Sequence, residues 1–174
     1  VTVFCAAGDR GASDGIGGLN VDFPSSSPYA VACGGTTLLS ANGVITSETV
    51  WNNSVDSSTG GGLSAVFDKP AYQTAVPLLT TQSKRGSPDI AANANPQTGY
   101  VFRNKNAYYS VGGTSAVSPL LAGLTARLNQ KRAAAAKTAL GLVQTALYAA
   151  PLTVFRDIVS GNNNGFNASP GWDY

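Results

Sequence analysis

The stretch Gly112-Gly113-Thr114-Ser115-Ala116-Val117-Ser118-Pro119 decides how this chain reads. Two glycines form a tight turn, a serine follows, and an apolar run begins behind it. Leu120, Leu121, Leu124 and Leu128 recur at helical spacing to about Lys131. Pro119 falls in the first turn, where a missing N–H costs little. The pattern predicts a turn that delivers Ser115 onto the N-terminus of a helix. A serine hydroxyl near neutrality is a weak nucleophile and needs a neighbouring base. The chain has no histidine, so the base is a carboxylate, a lysine or a group on another chain.

Upstream of this turn the signals are those of short strands. Val1 to Ala6 is an apolar run closed by Gly8-Asp9-Arg10-Gly11, with a glycine-rich loop to about Asn20. Tyr29 to Ala32 reads as a second strand, stopped by Gly34-Gly35. Thr36 to Leu39 and Val44 to Val50 flank Asn42-Gly43, a hairpin signal. Gly60-Gly61-Gly62 reads as a flexible loop, Ser87 to Ala92 as a further short element, and Tyr100 to Arg103 with Ala107 to Val111 as another hairpin. Downstream, Ala133 to about Ala149 is a second helix candidate with a break near Gly141, and the tail from Arg156 to Tyr174 has no periodicity. Strands followed by late helices predict an α/β domain.

Composition narrows the function. Hydrophobic residues make up 43% of the 174 residues and charged residues only 11%, against roughly 25% charged in an ordinary soluble domain. A surface of Ser, Thr, Asn and Gly has little to titrate, which suits acid conditions. A net charge of +2 without a long basic run argues against nucleic acid, and no apolar stretch reaches membrane-spanning length. The opening on Val1-Thr2-Val3-Phe4 looks like the middle of a strand, as in a processed chain or fragment. Cys5 and Cys33 exclude cysteine metal clusters; each adjoins a short strand, leaving a disulfide or two free thiols open. Asn52-Asn53-Ser54 and Asn167-Ala168-Ser169 fit the N-glycosylation pattern, the second weakened by Pro170.

Several separated segments share one resemblance. Ala6-Ala7-Gly8-Asp9, Phe23-Pro24-Ser25-Ser26-Ser27-Pro28-Tyr29, Gly34-Gly35-Thr36-Thr37-Leu38, Gly60-Gly61-Gly62-Leu63-Ser64, the run from Ser87-Pro88-Asp89 to Gly99-Tyr100, Gly113-Thr114-Ser115-Ala116 and Gly171-Trp172-Asp173 stand in the order found in sedolisins. The chain therefore resembles the C-terminal part of a serine–carboxyl peptidase catalytic domain over residues 1–174. Asp9, where ordinary subtilisins carry Asn, and the Gly-Trp-Asp tail favour sedolisins over subtilisins. The resemblance implies an α/β, subtilisin-like fold with a mostly parallel sheet, and an acid-acting endopeptidase or tripeptidyl-peptidase.

The resemblance also assigns roles. Ser115 would attack the peptide carbonyl to form an acyl-enzyme. Asp9 would line the oxyanion hole, where a protonated carboxyl donates to the tetrahedral oxygen; an ordinary aspartate titrates near ~3.9, so this chemistry points to acid. The family's Glu and Asp base, one helical turn apart, has no counterpart: Glu48 is the only glutamate, and Asn52 stands four residues on. That pair would lie upstream and belong to an N-terminal chain of the same enzyme. One Ca²⁺ would be held by Asp157 and Asp173 through side chains and by Ile158, Ser169 and Gly171 through carbonyls. Asp89 would brace the site, Trp51 and Trp172 would pack, and Arg10, where a small residue is usual, would sit beside the primary specificity pocket and favour an acidic or polar substrate side chain. Gly112 stands where the family usually has Ser. A secreted location or an acidic vacuolar–lysosomal compartment follows, with peptide or protein as substrate. The rival reading is an inert C-terminal fragment acting as a calcium-binding or interaction module.

Overall fold

The computed structural model describes all residues from Val1 to Tyr174. In chain order its strands are β1 (Val3–Ala6), β2 (Ala30–Ala41), β3 (Val44–Val50), β4 (Asn52–Ser54), β5 (Ser57–Ser58), β6 (Gly62–Asp68), β7 (Lys84–Ser87), β8 (Ile90–Asn93), β9 (Tyr100–Asn104) and β10 (Ala107–Val111). Two helices follow, α1 (Thr114–Ala134) and α2 (Gln144–Ala149). β2 is the spine. β1 pairs with it in parallel from Val3↔Ala30 to Ala6↔Cys33, and β8 in parallel from Cys33↔Ile90 to Thr36↔Asn93. Its far half turns back through Asn42 and Gly43, both at positive φ, into antiparallel β3.

Parallel strands need cover on their faces, and α1 supplies it on one. Val117 and Leu121 enter a core with Val31, Cys33, Trp51, Ala94 and Val143. Leu120, Leu124 and Leu128, whose spacing predicted the helix, instead face outward at 48%, 54% and 43% exposure. No charged side chain occurs in α1 before Arg127. A helix apolar on all sides is a buried helix, and here only one side is covered. A folded monomer of 17.7 kDa exposes about 7,900 Å² by the usual size scaling; this chain exposes 9619 Å².

Four sequence expectations change. Pro119, expected in the first turn of the helix, is the sixth residue of α1 and lies inside it. Gly34-Gly35 does not end the second strand; β2 runs through it. A Cβ on Gly35 would lie 2.6 Å from that of Ala94 and 2.9 Å from the Trp51 ring, so these glycines admit close packing. Gly60-Gly61-Gly62 is buried, with Gly60 N–H donating to the Gly8 carbonyl at 2.8 Å. The second helix shrinks to six residues, because 133–139 are all exposed and bury no apolar face that would sustain a helix.

Two further features are settled by register. Cys5 pairs with Ala32 and Cys33 with Ala6; neighbours in register share a face, so the two thiols point to opposite sides of the sheet, and both are free. Asp89 is fully buried against Arg85 at 2.6 Å. Its carboxylate also accepts from Ala32 N–H and from the Tyr148 hydroxyl, each at 2.7 Å. Burial pushes the Asp89 carboxyl up, and Arg85 with these donors works to hold it charged. This pair ties β7 and β8 to β2 and α2.

Candidate active site

Ser115 is the second residue of α1 and is exposed, while Thr114 before it is wholly buried. Gly113 makes the turn at φ +93°, and a Cβ there would meet the Asp9 carboxylate at 2.6 Å. That approach brings the end of β1 to the start of α1. Thr114 joins them: its backbone N–H donates to Asp9 Oδ1 at 2.8 Å and its hydroxyl to the same oxygen at 2.7 Å. The hydroxyl also accepts from Gly8 N–H at 3.2 Å. Asp9 is held from the other side as well, its carbonyl accepting from Ser58 N–H at 3.1 Å.

One carboxylate oxygen of Asp9 is therefore fixed by two donors, and Oδ2 carries no hydrogen bond from the chain. Ser115 Oγ likewise makes none. Both residues line one cleft of about 450 Å³, together with Ala6, Gly8, Arg10, Asp14, Asp22 and Thr114. The structure thus brings together the two residues singled out as nucleophile and oxyanion group. Glu48 lies elsewhere, accepting from Thr36 and pairing with Arg156 at 3.3 Å on the β2–β3 side.

Sequence reasoning missed Thr114, Asp14 and Asp22. Burial first, then a hydrogen bond and charge from Asp14, then the charge of Asp9 push the Asp22 carboxyl up to about 6. A signal was present: three of the nine acidic residues fall between positions 9 and 22, in a loop that must fold back on itself. Thr114 had no signal, because its work is a side-chain bond to a residue 105 positions away.

In the tail, Asp157 Oδ2 accepts from Gly171 N–H at 3.0 Å. Asp173 accepts from Ser169 N–H at 3.0 Å and from its hydroxyl at 2.7 Å. Burial and the charge of Asp157 push the Asp173 carboxyl up, against the pull of Ser169. The carbonyls of Ile158, Ser169 and Gly171 accept no hydrogen bond from the chain. Asp157 and Asp173 thus lie in one tail loop with three carbonyls that accept nothing from the chain. No group of three or more His, Cys, Asp or Glu side chains is placed so that it could hold a metal ion, and no helix is long and apolar enough to cross a membrane.

The chain is similar to known proteins over nearly its whole length. The subtilase family model matches residues 1–172. Kumamolisin of Bacillus sp. (strain MN-32) is 46% identical over 99% of this chain and 33% of its own length. Sedolisin of Pseudomonas sp. (strain 101) is 38% identical over 95% of this chain and 29% of its own. The solved Pseudomonas sedolisin, a serine-carboxyl proteinase complexed with two molecules of pseudo-iodotyrostatin, superposes with a TM-score of 0.88 at 35% identity. That match covers 99% of this chain and 51% of the solved one. The chain spans about a third of the length of the curated relatives it matches. By its family match and its fold, the chain belongs to the subtilase family and is a partial catalytic domain of the sedolisin type.

Proposed function

We propose that this chain is the nucleophile-bearing part of an acid-acting serine–carboxyl peptidase that cleaves peptide or protein substrates through an acyl-enzyme. The observation that carries this reading is the shared cleft of Ser115 and Asp9, with Thr114 fixing one Asp9 oxygen and leaving the other free. Ser115 Oγ gives its proton to a carboxylate supplied from outside this chain and attacks the scissile carbonyl. The C–N bond then breaks, the amine leaves with that proton, and the acyl group stays on Oγ. Asp9, protonated on Oδ2, donates to the developing oxyanion; a carboxylate there would repel it. One such donor contributes roughly 10²–10³ in rate. Water then releases the acyl group by the reverse sequence.

Ser115 has no base within this chain, so a second part of the enzyme supplies a carboxylate. The uncovered leucine row on α1 and the surplus exposed area support that reading. β1 also pairs on one side only, with β2, and so leaves an edge for a further strand. That part is the N-terminal half of the same enzyme, seated along α1, where a carboxylate on a neighbouring helix reaches Ser115.

The tail loop binds one Ca²⁺ through Asp157, Asp173 and the carbonyls of Ile158, Ser169 and Gly171. The ion's part is to hold this loop shut. A low-charge surface and acid chemistry support a location outside the cell or in an acidic vacuolar–lysosomal compartment. The test is peptide cleavage at about pH 4 by the assembled enzyme. Ser115→Ala abolishes turnover with folding intact; retained turnover rejects the assignment.

A further inference from the structure

Asp9 is held from two sides, and the second hold leads to the tail. Thr114 fixes one oxygen of its carboxylate, while Ser58 N–H fixes its carbonyl at 3.1 Å. Ser58 also bridges to the backbone of Arg10. Ser58 is wholly buried, and its hydroxyl makes a single hydrogen bond, accepting from Asn164 Nδ2–H at 3.0 Å. That partner lies 106 residues away along the chain. Asn164 Oδ1 accepts in turn from Asn52 Nδ2–H at 3.0 Å, which ties it to β4. The residue before it, Asn163, is buried, and its carbonyl accepts from Ala12 N–H at 2.8 Å. Gly11 fits between these contacts: a Cβ there would meet the Asn163 carbonyl oxygen at 2.6 Å and Ser58 Oγ at 2.9 Å. The run from Asp9 to Ala12 is therefore clamped between the start of α1 and the tail.

Resting on the peptidase reading above, we propose that Asn164 is a positioning residue for Asp9, acting through Ser58. Asn164 does not line the cleft. Its amide satisfies a buried hydroxyl that has no other partner, and the N–H of the same serine sets where the Asp9 backbone lies. An oxyanion donor works only from a fixed place, since a displacement of about 1 Å can cost ~10²-fold in rate. The oxygen that would do this work, Oδ2, has no hold of its own from the chain; it takes its place from Oδ1 and from the backbone. Loss of the tail anchor therefore falls on the step that forms the oxyanion and spares substrate binding.

The test is a double-mutant cycle on kcat of the assembled peptidase at about pH 4, combining Asn164→Gly and Ser58→Ala with Asp9→Ala. Asn164 stands at φ +67°, so glycine keeps its left-handed backbone and removes only the amide. Ser58→Ala removes the hydroxyl and keeps the backbone N–H. Each change lowers kcat by about tenfold with KM within about twofold, short of the roughly 10²–10³ lost with the donor itself. In the Asp9→Ala background each changes kcat by less than about twofold, because no donor remains to be positioned. Asn164→Gly and Ser58→Ala together cost no more than either alone, since they remove two ends of one bond. Should Asn164→Gly fail to fold, the Ser58→Ala and Asp9→Ala pair decides by itself. Unchanged kcat in the single variants, or equal losses with and without Asp9, overturns this proposal alone. A native protein that cleaves no peptide overturns the peptidase reading and this proposal with it.

Discussion

Thr114 grips Asp9 twice through a single oxygen, 2.8 Å from its backbone N–H and 2.7 Å from its hydroxyl. The neighbour of the proposed nucleophile thus orients the proposed oxyanion group. Thr114→Val keeps the shape and the backbone bond, removes the hydroxyl bond and leaves Gly8 N–H without its partner. It is expected to lower kcat by about tenfold or more with KM little changed, and to cost about 1–3 kcal/mol of stability. Steady-state kinetics and urea melts on the same variant separate the two effects. Unchanged kcat would remove Thr114 from the catalytic account.

Asp9→Asn replaces a donor that exists only when protonated by an amide that donates at every pH. The alkaline limb of the kcat profile is expected to move toward neutrality, with reduced maximal rate. A profile of unchanged shape would show that Asp9 does not act as a protonated donor.

Asp22 binds its proton more tightly in the fold than in the unfolded chain, at about 6 against an ordinary 3.8. Between those values the native state holds the extra proton, so stability falls as pH rises through the window. Asp22→Asn is expected to flatten that decline. Thermal melts at pH 4, 5 and 6.5 check it; a native curve already flat over this range contradicts the proton sharing between Asp14 and Asp22.

Calcium is expected to raise the melting temperature, by the equivalent of about 2.7 kcal/mol at a hundredfold excess over the dissociation constant. Asp173→Asn is expected to abolish that shift, although its amide can still accept from Ser169. An equal rise in native and variant proteins would move the ion away from the tail.

Much of the fold was legible because it is local. The Asn42-Gly43 turn, the hairpin of β9 and β10 and the helix behind Ser115 each follow from patterns within a few residues. The glycine pairs misled because Gly34-Gly35 looks like punctuation, while the close approach of Trp51 and Ala94 is invisible in sequence. The leucine spacing identified a helix correctly but not its buried side, since Leu121 alone of the four is buried. The resemblance singled out Ser115 and Asp9, and the structure brings the two to one cleft. Thr114, Asp14 and Asp22 were not singled out, because their roles depend on the loop from Asp9 to Asp22 closing over the start of α1.

The central claim is that Ser115 is the attacking group and acquires its base from outside this chain. The most direct measurement is covalent capture of an activated acyl substrate, followed by mass mapping of the adduct. The account predicts one acyl group on Ser115 when the N-terminal part is present, and none on the isolated chain. Equal labelling of the isolated chain, or an adduct on any other residue, would contradict it.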